Sequence, residues 1–119
     1  MSYTVTWFKS YHIEERKLAF NNSFFEIQYD DGDCTEFSAS RLDEIEKVGE
    51  AVGVDLISAV YEDSVLSVNY TMNLPDQDEV VEACDRAINT LGLNASACDD
   101  LQWIRKLAGS GYHIVYTMF

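Results

Sequence analysis

Residues 23–53, SFFEIQYDDGDCTEFSASRLDEIEKVGEAVG, change their hydrophobic period midway. Phe25, Ile27 and Tyr29 alternate with other residues, the period of a half-buried strand. Asp31-Gly32 follows, a dipeptide suited to the positive φ angles of a tight hairpin turn. Residues 34–37 then read as the returning strand. Beyond Ser40, Leu42, Ile45, Val48 and Val52 recur at three- and four-residue spacing, so the period has become helical. Ser40 is the expected N-cap, with Asp43 three positions on, and Gly53 suits the left-handed position that follows a last helical turn. The stretch predicts a ββα unit.

The same order of elements recurs without a residue-level repeat. Residues 56–61 and 65–72, around Glu62-Asp63-Ser64, predict a second hairpin. Asp76 with Glu79 predicts a capping box for a second helix, with Val80, Val81, Cys84, Ala87, Ile88 and Leu91 facing inward and Gly92 ending it. Ser96 with Asp99 opens a third, carrying Leu101, Ile104 and Leu107 and stopping at Gly109-Ser110-Gly111. Residues 3–8 alternate as a strand and 112–119 form a final one, while residues 13–22 read as a polar connection. The resulting order is β–ββ–α–ββ–α–α–β. It implies an α+β fold, an antiparallel or mixed sheet with two to three helices packed on one face. With one proline and no Ser/Gly-rich linker, residues 1–119 are expected to be a single domain with a sizeable core, since 47% of the chain is apolar.

Charge is unevenly distributed. Residues 21–100 hold 19 of the 21 carboxylates against only Arg41, Lys47 and Arg86, whereas both flanking stretches are slightly basic and the whole chain carries −13. On the first helix Asp43, Glu46 and Glu50 stand at i, i+3 and i+7; on the second Asp78, Glu82 and Asp85 stand at i, i+4 and i+7. At about 100° per residue each trio spans roughly 60° of helix surface. Like charges at this spacing cost a helix about 0.2–0.5 kcal/mol per pair, partly offset near an N-terminus by the dipole. Asp30, Asp31 and Asp33 add a third acidic group at the expected hairpin turn. Such a surface repels nucleic acid and anionic membrane, and attracts basic partners over a Debye length of about 8 Å. Solubility alone asks a small domain for a net charge of only about 2–8, so these nine carboxylates are the candidate partner-binding residues.

Other chemistries lack their signatures. In Asp31-Gly32-Asp33-Cys34-Thr35-Glu36, a calcium loop would need glycine at Glu36 and a bidentate glutamate at Leu42. His12 and His113 have no ligand-spaced Cys or His, and Cys34, Cys84 and Cys98 make neither a disulfide framework nor a metal pattern. No phosphate loop or catalytic motif is present, so no metal, cofactor or catalytic residue is expected. Direct nucleic-acid binding is disfavoured for want of a basic groove. Residues 1–4 lack the basic start of a signal peptide, and no apolar run spans a bilayer, so a cytoplasmic protein is expected, in a host cytoplasm if phage-encoded. Tyr61, Tyr70, Tyr112 and Tyr116 are candidate aromatic anchors for a partner.

In size, charge and lack of catalytic motif the chain resembles the small acidic inhibitors of phages, mobile elements and toxin systems: anti-restriction and anti-CRISPR DNA mimics, and immunity proteins that plug a nuclease. That resemblance implies a non-enzymatic inhibitor, monomeric or homodimeric, whose carboxylates occupy the positively charged nucleic-acid-binding surface of a nuclease or defence complex. Two readings compete with it. One is an intracellular adaptor that homodimerises through a sheet edge, formed by residues 3–8 or 112–118, with its charge serving solubility. The other is a small acid/base enzyme with a carboxylate or histidine perturbed in a pocket.

Overall fold

A computed structural model describes residues 2–17, 23–30, 32–61 and 74–118. The elements run β1 (Ser2–Phe8), β2 (Ser10–Lys17), β3 (Ser23–Asp30), β4 (Asp33–Ser38), α1 (Ala39–Val52), β5 (Ser58–Tyr61), α2 (Gln77–Thr90), α3 (Ala95–Gly109) and β6 (His113–Met118). A four-stranded sheet has the order β4–β1–β6–β5, and β2 pairs with β3 in a separate two-stranded ribbon. β1 is antiparallel to both β4 and β6, whereas β5 runs parallel to β6. Parallel neighbours need a long crossover, and α2 and α3 lie within the segment that makes it.

Period 2 decides which strand residues meet the helices. The register sets Val5 opposite Tyr116, Trp7 opposite Ile114 and Tyr3 opposite Phe37, so these six share one face. Val5, Phe37, Ile114 and Tyr116 are buried there against Leu42, Ile45 and Val48 of α1, Val80, Ala83, Cys84 and Ala87 of α2, and Leu101, Ile104 and Ala108 of α3. The α+β expectation therefore stands, as a mixed sheet with three helices on one face. Trp7 meets Trp103 of α3 edge-to-face at 5.3 Å, and Phe37 lies 5.6 Å from the same indole. The opposite face is not bare, since Thr6, Phe8, Val115 and Ser58 are buried on it.

Several expectations are corrected. Residues 10–17, expected in part as a connection, form β2. Opposite β3 it sets Tyr11 against Tyr29 and Ile13 against Ile27; a ribbon outside the main sheet needs no strict apolar alternation, so the period signal is weak. Residues 23–37 do not form a hairpin: β3 pairs with β2 and β4 with β1. Pairing is set by partners distant in the chain, which turn chemistry alone does not override. Asp31 lies outside the described residues, as does the second strand of the hairpin expected at 56–73, whose first strand, β5, is parallel to β6. β1 and β6 are interior strands rather than sheet edges, which removes the motive for an edge-to-edge dimer through either.

The helix ends are set by side-chain caps. Ser38, not Ser40, caps α1, its Oγ accepting the Arg41 N–H. Asn94, not Ser96, caps α3, its side-chain oxygen accepting the Ala97 N–H at 2.8 Å. Asp76 caps α2 as expected, accepting from the Asp78 N–H at 2.9 Å. Gly53 takes the left-handed conformation that ends α1, with φ 74°.

Candidate protein-docking surface

The first acidic row sits on the solvent side of α1, with Asp43, Glu46 and Glu50 all exposed. Arg41 and Glu44 lie on another side of the same helix and reach α3. The Arg41 guanidinium grips Asp100 at 2.6–3.1 Å, and Glu44 accepts from Asn94 at 3.2 Å. The Asp43 row is turned toward β1 and β6 instead, where the Tyr116 hydroxyl donates to Glu46 Oε1.

The second row lies opposite the buried stripe of α2. Asp78 and Glu82 are exposed, while Asp85 is half-buried and takes two hydrogen bonds from Arg105 of α3, at 2.6 and 3.2 Å. The two rows thus border different neighbours, Tyr116 for α1 and Arg105 for α2, and no contact joins them among the described residues. Asp33 is exposed at the start of β4 and accepts the Cys34 N–H at 2.8 Å. Asp30 ends β3, opposite Ser10 in register, and Asp31 lies outside the described residues. The structure therefore gives the α1 row and the α2 row different surroundings.

What it adds is the fate of the cations. Arg41 is committed to Asp100 and lies over the Phe37 ring, 3.7 Å from its centroid. Its pKa is pushed up chiefly by the hydrogen bond to Asp100, against an opposing burial penalty. Arg86 gives its Nη2–H to the Val52 carbonyl at 2.6 Å, satisfying an oxygen at the end of α1. Lys9 lies over the Tyr112 ring at 4.9 Å. Lys47 follows Asp43 by four residues and precedes Glu50 by three, the spacing of helix ion pairs, yet it pairs with neither. Among the described residues no Lys or Arg lies in ion-pair range of Asp43, Glu50, Asp78 or Glu82.

The tyrosines differ from expectation. Tyr116 is buried, Tyr112 is half-buried, Tyr70 lies outside the described residues, and Tyr11 of β2 is an exposed aromatic that the sequence did not mark. His12 sits within β2, exposed, 3.0 Å from Glu14 Oε1. His113 opens β6, packs edge-on to Tyr11 and meets Gln77 Nε2 at 2.9 Å; burial pushes its pKa below 6.5, against the pull of Asp76. Burial also pushes the Cys84 thiol up to about 12, whereas Cys34 is exposed. Among the described residues no group of three or more His, Cys, Asp or Glu is arranged to hold a metal ion, and no helix is long and apolar enough to cross a membrane. Comparison of the chain with family models, curated proteins and solved structures finds no match.

Proposed function

We propose that this chain is a non-enzymatic inhibitor whose acidic helices dock on the positively charged nucleic-acid-binding surface of a nuclease or defence complex. The observation that supports the reading is the commitment of the arginines. Arg41 and Arg86 are the arginines of α1 and α2, and both are spent on internal contacts, so Asp43, Glu50, Asp78 and Glu82 face solvent or a partner with no arginine beside them among the described residues, whereas Asp85 is held by Arg105. Duplex DNA presents one charge per ~1.7 Å of axis, and proteins that hold it carry matching Lys/Arg patches. Rows of carboxylates on a rigid helical scaffold attract the same patches and speed encounter.

The test is affinity capture from nuclease-treated bacterial lysate, run beside the triple variant Asp78→Asn, Glu82→Gln, Asp85→Asn, with the captured protein then purified and assayed for nucleic-acid binding. The expected result is a nucleic-acid-binding protein that elutes as salt rises, is displaced by DNA, and associates more slowly with the variant. A partner retained equally by the variant, with unchanged salt dependence, excludes the α2 row as the interface. Capture of this protein alone favours self-association through a surface other than β1 or β6, with charge serving solubility.

A further inference from the structure

An open groove of about 380 Å³ lies between the first turns of α1 and strands β1 and β6. Leu42 is its buried floor, Tyr3 and Tyr116 form one wall, and Asp43 and Glu46 form the other. The two rings meet edge-to-face, 6.0 Å apart at 80°. The Tyr116 hydroxyl donates to Glu46 Oε1, which fixes that carboxylate on the groove wall. Among the described residues no lysine or arginine lines the groove.

We propose that this groove receives an arginine side chain of the basic partner. The inference rests on the reading above, that the chain docks on a basic protein, and names where that protein is gripped. The chemistry is already used once within the molecule: Arg41 lies on the Phe37 ring while it forks the Asp100 carboxylate. The groove offers the same pair of partners, an aromatic wall and a carboxylate held beside it, with no cation among its described lining residues. A planar guanidinium satisfies both at once, by stacking and by parallel N–H donation, whereas an ammonium acts as a point charge.

The first turn of α1 opposes a cation, because a helix N-terminus carries about half a positive charge. Ala39 and Ser40 bring that end into the lining. Against that half charge stand two carboxylates, Asp43 and Glu46, on the groove wall.

The test is a nuclear magnetic resonance titration of the full chain with N-acetyl-arginine amide, its lysine counterpart and the uncharged isostere N-acetyl-citrulline amide. The expected result is a saturable shift of the Tyr3, Asp43 and Glu46 resonances, strongest with the arginine compound and absent with citrulline. Glu46→Gln weakens it about two- to five-fold, and Tyr116→Phe, which releases Glu46 without removing its charge, weakens it less. Equal shifts with citrulline, or an arginine titration unmoved by Glu46→Gln, overturn the proposal, and a lysine compound that binds as well overturns its preference for a guanidinium. The two readings fail separately. A captured nucleic-acid-binding partner without groove shifts sinks only the groove, and groove shifts without such a partner sink only the inhibitor reading.

Discussion

Arg41 reaches 59 residues along the chain to fork the carboxylate of Asp100, tying the first turn of α1 to α3 while lying on the Phe37 ring of β4. Three elements meet in one side chain. The Asp100 side chain is 12% exposed and that of Arg41 44%, so solvent screens one partner and not the other. Asp100→Ala is expected to cost about 1–3 kcal/mol, less than a fully buried pair would. Arg41→Ala should cost a similar amount, because it also loses the ring contact. The two changes should be non-additive in urea unfolding, with the double variant costing less than their sum.

Gly49 sits in the last turns of α1, where a glycine normally costs a helix up to about 1 kcal/mol against alanine. Here the sign reverses. A Cβ at this position would lie 2.7 Å from the Val54 carbonyl oxygen, a backbone atom held by its place just beyond the helix end. Gly49→Ala is expected to destabilise by about 1–3 kcal/mol. Gly109→Ala is the control, since its Cβ would meet only the Val81 side chain at 3.9 Å. A thermal melt should move down for the first variant and stay level or rise for the second.

His113 sets a pH dependence whose sign follows from burial. Its folded-state pKa lies below the ordinary 6.5, so the unfolded chain takes up the proton first as pH falls. The contribution is complete above pH 6.5 and is lost progressively below it. His113→Gln should remove that slope between pH 6.5 and 5.5. The measurement is unfolding free energy by denaturant at pH 7.5, 6.5 and 5.5 for both chains; what the two chains share cancels in the difference.

The thiols should separate by reactivity. Cys84 is fully buried with its pKa pushed up to about 12, so it presents no thiolate at neutral pH. Cys34 is exposed on β4. Ellman's reagent on the native protein should label Cys34 promptly and spare Cys84 until denaturant is added. Prompt labelling of the Cys34→Ser variant at Cys84 would contradict this packing.

The helices were legible in the sequence because each buries an apolar stripe, and Leu42, Ile45, Val48, Val80, Cys84, Leu101 and Ile104 all lie where the 3.6-residue period puts them. Strand partners were not legible. Asp31-Gly32 is a sound local turn signal, yet β3 and β4 belong to different sheets, because a strand's partner is fixed by tertiary packing. Caps shifted by two residues at α1 and α3, where Ser38 and Ser40, or Asn94 and Ser96, compete and only backbone geometry decides. The acidic rows were legible as spacing. Arg41 and Arg86 spend their charge on atoms 59 and 34 residues away, and no local pattern encodes that. The groove was missed for the same reason: Tyr3 and Tyr116 meet only because β1 and β6 pair.

That pairing sets Thr4 opposite Thr117, bridging almost the whole chain, and it places β6 between β1 and β5. A contact of such long range closes a large loop before it returns any burial, and folds dominated by such contacts mature in milliseconds to seconds rather than microseconds. During synthesis from the N-terminus, β1 and β5 both emerge before the strand that joins them. The groove walled by Tyr3 and Tyr116 therefore does not exist on a nascent chain until β6 arrives to pair with β1.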